Sequence, residues 1–135
     1  MKTQGGCLCG AVSFEVEGPL RPVIACHCTQ CRKTSGHHVA ATAAPKSAVS
    51  IQGEDRIAWF SASPDARRAF CATCGSHLFW DRLDSESLSI FAGSLDGPLD
   101  LDIHSHIFCA DKGDYYEITG EMPKFAGASG GEPYP

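Results

Sequence analysis

No segment of this sequence approaches about 18 consecutive apolar residues, so no stretch is built to cross a bilayer as a helix. The first ten residues, MKTQGGCLCG, lack an apolar core, so a secretory leader is not expected and the default address is the cytoplasm. Positive charge is scarce. Lys and Arg number 11 against 16 Asp and Glu, a net charge of -5, which argues against a nucleic-acid surface. The short basic pairs Arg32-Lys33 and Arg67-Arg68 do not reverse that balance, although they suit a small anion. Also missing are a sustained 3.6-residue period, an internal repeat and a heptad pattern.

What remains is an ordinary globular composition, 43% apolar and 20% charged, in a chain of 135 residues that suits a single domain. Short runs alternate in character and stop at turn residues. In AVSFEV, Val12, Phe14 and Val16 alternate with Ser13 and Glu15 before the turn Gly18-Pro19. PVIACHC, HHVAATAAP, SLSIFAGSL and DIHSHIF read as further strands. SAVSIQGE and RIAWFSAS read as a pair separated by Gly53-Glu54-Asp55. ARRAFCATCGSHLFWDR reads as two strands joined by a turn, and TQCRKTSG as one helical turn. The expectation is an all-β protein. Residues 1–126 form one domain in this reading, and 127–135, small and polar, form a flexible tail. Trp59, Phe60, Phe79 and Trp80 are expected in the core, Asp100 and Asp102 in water, and Cys109 as a buried inert thiol.

Eight cysteines are abundant for a cytosolic chain, where clustered thiols more often hold metal than form disulfides. Their spacing sorts them. Cys7 and Cys9 form C-x-C, Cys26, Cys28 and Cys31 form C-x-C-x-x-C, and Cys71 and Cys74 form C-x-x-C. A tetrahedral zinc asks its sulfurs to stand about 3.8 Å apart. Cys71 and Cys74 can do so in a tight turn, with Gly75 supplying a positive φ. Neither pair completes a tetrahedron alone. The simplest closed, structural site is therefore Cys7, Cys9, Cys71 and Cys74, although Cys71 and Cys74 could instead join Cys26 and Cys28. Arg67 and Arg68 are candidates to offset the thiolate charge, or else lie on a solvated face.

Three thiols remain in one loop. Held by Cys26, Cys28 and Cys31, a zinc keeps a position for water or substrate, as catalytic zinc does. A fourth ligand from His27, His77, His104, His106 or Cys109 would make it a second structural site. Without metal, the trio would be a redox switch.

Three stretches in order, GGCLCGAVSFEV, CHCTQCRKTSG and FCATCGSHLFW, resemble the glutathione-dependent formaldehyde-activating enzyme family, which includes the centromere protein V-like proteins. HSHIFCADKGDYYEI and MPKF add a weaker likeness. The resemblance implies stacked antiparallel sheets of the β-tent type, stabilised by zinc on Cys7, Cys9, Cys71 and Cys74. It implies a second, catalytic zinc on Cys26, Cys28 and Cys31, labile in some members. The implied activity joins glutathione to formaldehyde, a carbon–sulfur lyase by direction of bond change. The partners are thus a small thiol and an aldehyde, with no nucleic acid or membrane. Arg32 and Lys33 are candidates to bind the thiol's carboxylate. His27, His37, His38 and His77 are proton-donor candidates by location. The rival reading is a non-catalytic zinc-stabilised binding module, or a thiol redox or metal sensor.

Overall fold

The computed structural model describes residues 1–135. The chain is mostly β. Its strands are β1 (Lys2–Gly6), β2 (Ser13–Glu17), β3 (Val23–Cys26), β4 (Val39–Pro45), β5 (Val49–Gln52), β6 (Ile57–Phe60), β7 (Ala66–Cys71), β8 (His77–Arg82), β9 (Ser87–Phe91) and β10 (Ile103–Ile107). One short helix, α1, spans Thr29–Ser35. Two sheets result, a three-stranded one in the order β1-β2-β5 and a seven-stranded one in the order β10-β3-β4-β9-β8-β7-β6.

The chain divides into two compact units. The first comprises Met1–Arg21 and Thr42–Asp100, and the second Pro22–Ala41 and Leu101–Pro135. In the first unit the alternation of β2 is the organising signal. Val12, Phe14 and Val16 are buried, while Ser13 and Glu17 are exposed. This half-buried pattern is what a strand with one wet face requires. These side chains join Ala69, Leu78, Phe79, Leu88 and Ile90 in one apolar core. The Phe79 ring is fully buried and meets Phe14 edge-on, with centroids 4.9 Å apart.

In the second unit β3 pairs antiparallel with the start of β4, Cys26 lying opposite Val39. β10 joins β3 in parallel, Ile107 lying opposite Cys26, an exception to the antiparallel arrangement expected. The C-terminal residues are laid along β10. The Phe125 and Cys109 backbone N–H groups donate to the His106 and Phe125 carbonyls, and Phe125 bridges Pro133.

Two expectations need correcting, and one strand goes unannounced by the sequence. β5 and β6 do not pair. β5 pairs with β2, β6 pairs with β7, and a 3-10 turn at Glu54–Arg56 carries the chain from one sheet to the other. β1 carries no sequence signal, because KTQGG has no apolar alternation to announce a strand. Trp59 and Phe60 are not core residues. They are 38% and 57% exposed, on the strand that ends the larger sheet. The Arg67 guanidinium lies 3.7 Å over the Trp59 ring and its Nε donates to Asp81 at 2.9 Å. Arg67 is therefore engaged by Asp81 and Trp59. Trp80 is half-buried, Cys109 is fully buried, and Asp100 and Asp102 face water as expected.

Candidate metal centres

The first unit gathers four cysteines. Cys7 follows the last residue of β1, and its backbone N–H donates to the Val12 carbonyl at 3.0 Å, turning the chain back toward β2. Cys71 is the last residue of β7. The Gly75 N–H closes the next turn onto the Cys71 carbonyl at 2.8 Å, and Gly75 takes a φ of 78°, a left-handed conformation that favours glycine. These two turns bring together Cys7, Cys9, Cys71 and Cys74, whose sulfurs all lie within 4.8 Å of one another. The Cys7–Cys9 and Cys9–Cys71 sulfur distances are 3.6 and 3.8 Å, close to the edge of about 3.8 Å in a zinc–sulfur tetrahedron.

The chemistry of this group also suits a cation. The Val12 N–H donates to the Cys7 sulfur, the Thr73 and Cys74 N–H groups point at the Cys71 sulfur, and the Ser76 hydroxyl stands 3.2 Å from the Cys74 sulfur. Hydrogen bonds from the Ser76 hydroxyl and then its backbone pull the Cys74 thiol down to about 5. The Cys9 thiol, despite a backbone hydrogen bond at Ala11, is pushed up to about 11 by desolvation and its sulfur neighbours. Protein donors alone therefore favour some thiolates and leave others protonated. A divalent ion at the centre would let the four sulfurs ionise together.

The second unit gathers Cys26, Cys28 and Cys31, again with sulfurs within 4.8 Å of one another. Cys26 ends β3. Cys28 caps α1, and its sulfur accepts from the Cys31 N–H at 3.3 Å. Cys31 is buried on the first turn of the helix. Hydrogen bonding with Cys28 and then Cys31, followed by burial, drives the Cys26 thiol far above its ordinary range. Three crowded sulfurs in a partly buried loop resist ionising without a cation, so this donor set also fits zinc.

No histidine or carboxylate joins the trio. His27 lies between two of its members in sequence, yet both ring nitrogens are occupied. Nδ1 lies 2.6 Å from the Tyr116 hydroxyl and Nε2 lies 2.9 Å from His106 Nδ1. Burial, then the neighbouring histidines and Lys112, hold His27 down to about 4, so the ring is neutral at pH 7. A neutral imidazole has one N–H, so one nitrogen donates and the other accepts, and neither is left for a metal. His106 is thereby engaged too. His104 is exposed, and His77 lies between the Phe70 and Phe91 rings in the first unit.

Arg32 is half-buried on α1, and its Nε is buried without a hydrogen-bond partner in the chain, whereas Lys33 is exposed. His37 and His38 follow the helix, with ring centroids 4.2 Å apart, and burial followed by His37 and His106 lowers the His38 pKa. Sequence reasoning missed Tyr116. Its ring touches His27, His37 and His38, and the Lys112 ammonium lies 5.0 Å over it. The only signal for it was DKGDYYEI, where nothing in the spacing points back to a histidine 89 positions earlier.

Comparison with known proteins follows the same residues. A family model described as "Glutathione-dependent formaldehyde-activating enzyme" matches residues 2–111. A Halomonas elongata protein named "Putative glutathione-dependent formaldehyde-activating enzyme" is 30% identical over 128 residues, covering 87% of this chain and 82% of its own. A crystal structure of a Rhodobacter sphaeroides protein superposes with a TM-score of 0.61 at 27% identity, over 70% of this chain and 89% of that one. With the match spanning both cysteine groups, the chain belongs to the glutathione-dependent formaldehyde-activating enzyme family.

Proposed function

We propose that the protein is a zinc-dependent enzyme of the carbon–sulfur lyase type, joining a small glutathione-like thiol to an aldehyde such as formaldehyde in the cytoplasm. The observation that carries this reading is the contrast between the two cysteine groups. One has four sulfurs and suits a closed, structural zinc. The other has three, with no histidine or carboxylate completing it. Zinc held by Cys26, Cys28 and Cys31 would supply the positive charge that makes an incoming thiol acidic near neutral pH.

The addition is balanced without any redox partner. The thiol loses its proton, its sulfur pair forms a bond to the carbonyl carbon, and the C=O π pair moves onto oxygen, which takes up a proton. Holding both reactants in one place supplies much of the rate. Of the four proton-donor candidates, His27 is committed at both nitrogens and His77 is packed between phenyl rings. That leaves His37 and His38, beside the same loop. Arg32, with a buried and unpartnered Nε, is the better of the two carboxylate-binding candidates, because Lys33 is in open water.

Cys28→Ser tests the reading. Reduced, zinc-replete wild-type protein should carry two zinc ions per chain and the variant one, with an unchanged circular dichroism spectrum. Thiol–aldehyde adduct formation should fall to the uncatalysed rate in the variant. A variant that keeps both ions, or that turns over like wild type, would falsify the assignment. Two ions without turnover of any thiol–aldehyde pair would favour a binding module or sensor.

A further inference from the structure

Two C-x-C tripeptides serve the two cysteine groups, and they are built in opposite ways. In Cys7-Leu8-Cys9 the middle side chain is 90% exposed, and the residue is held through its backbone N–H, which donates to the Ser76 hydroxyl at 3.0 Å. There the sulfur spacing is enforced by a second pair, Cys71 and Cys74. In Cys26-His27-Cys28 the middle side chain is 1% exposed. That group has no second pair, only Cys31 one helical turn on.

We propose that His27, held by Tyr116 and His106, fixes the spacing of Cys26 and Cys28, which makes Tyr116 and His106 positioning residues for the three-cysteine metal site. The inference rests on the reading that Cys26, Cys28 and Cys31 hold zinc.

The geometry supports it at three points. The His27 backbone N–H donates to the Ile107 carbonyl at 3.0 Å, so the main chain between the two cysteines is pinned to β10. The ring is pinned at both ends, at 2.6 Å to the Tyr116 hydroxyl and 2.9 Å to His106. Side chains alternate along an extended chain, so turning the His27 ring inward toward these partners turns Cys26 and Cys28 together to the other side. The partners are themselves held. The Lys112 ammonium donates to the Tyr116 carbonyl at 2.6 Å, the His37 ring meets the Tyr116 ring edge-on at 4.4 Å, and the His106 N–H donates to the Pro123 carbonyl at 2.9 Å. A tripeptide whose middle residue cannot rotate loses little entropy when its outer sulfurs close on an ion. One whose middle residue is loose must pay that entropy on binding.

The test is zinc competition with a chromogenic chelator on reduced protein loaded with zinc, comparing wild type, Tyr116→Phe, His106→Leu and His106→Asn. The ion of the trio is identified by its loss in Cys28→Ser. Tyr116→Phe and His106→Leu should each weaken that ion by about 10- to 100-fold, the usual cost of losing a group that orients a metal ligand. The four-cysteine ion should not move. His106→Asn, whose amide nitrogen can stand where Nδ1 stood, should recover most of the loss. Unmoved affinity in both Tyr116→Phe and His106→Leu overturns the inference. So does an equal loss at both ions accompanied by a lower melting temperature, which would mean general destabilisation. Wild-type protein that binds a single ion overturns the functional reading and this inference with it. Two ions with unmoved affinities overturn this inference alone.

Discussion

At Gly53 the backbone takes a left-handed φ of 82°, and a Cβ there would run into the Ala11 carbonyl oxygen. Both facts oppose any larger residue, and the obstacle is backbone, which cannot swing aside. Gly53→Ala should cost about 2–4 kcal/mol, measurable by urea unfolding with an unchanged slope. Asp81 is the second position where one residue carries a clear energetic load. Burial pushes its carboxyl up, but hydrogen bonds from Lys46 and Arg67 outweigh this and hold it below the usual carboxylate range. A carboxyl whose folded pKa is depressed contributes stability above its unfolded value of about 3.9, and loses it as pH falls through the lower folded value. Because both cations are more than a third exposed, the contribution is modest. Asp81→Asn should lower stability by about 1–2 kcal/mol at pH 7, and the gap to wild type should close in the acid range below about pH 4. A gap that stays constant into strong acid would show that the charge of Asp81 contributes nothing.

Single elements show where sequence reading succeeds and where it stops. β2 was legible because Val12, Phe14 and Val16 repeat every second residue, and all three are buried. The helix at Thr29–Ser35 is legible in TQCRKTSG as a single turn, and the structure extends it to seven residues that carry Cys31. β1 is not legible, because its partner surface is shaped by absence of side chains. A Cβ at Gly5 would strike the Phe14 ring, so glycine marks close approach where apolar alternation would mark a strand. The false pairing of β5 with β6 has a similar cause. Adjacent strands separated by a turn usually pair, but the 3-10 turn at Glu54–Arg56 sends the second strand to β7. Apolarity alone puts Trp59 and Phe60 inside. A strand with one neighbour leaves room for an aromatic ring to lie outside beneath a guanidinium. The turn after β7 makes the sharpest prediction at this scale. Cys74→Ser removes one of four sulfurs from a group that joins residues 62 positions apart. On the proposed reading, metal affinity there is folding energy, so the variant should be unfolded or insoluble when zinc-replete, unlike Cys28→Ser. Soluble, native-like Cys74→Ser protein with one zinc fewer would refute the structural role.

Across the whole chain, cysteine spacing was the most informative signal. It brought Cys7 and Cys9 to Cys71 and Cys74 and set Cys26, Cys28 and Cys31 apart, and the structure groups the sulfurs in that way. The cysteine groups are legible because tetrahedral chemistry constrains short spacings. The residues around them are not. Nothing local in Cys26-His27-Cys28 names Tyr116 or His106, since those contacts exist only once β10 lies beside β3. The same difference in span has a consequence during synthesis. The trio is complete once residue 31 has left the ribosome, whereas the quartet must wait for residue 74. On our proposal, however, the trio is set only when His106 and Tyr116 hold His27 between its cysteines, so the quartet is the first group to be finished. If both groups take zinc, protein made in zinc-poor cells should fill its quartet before its trio.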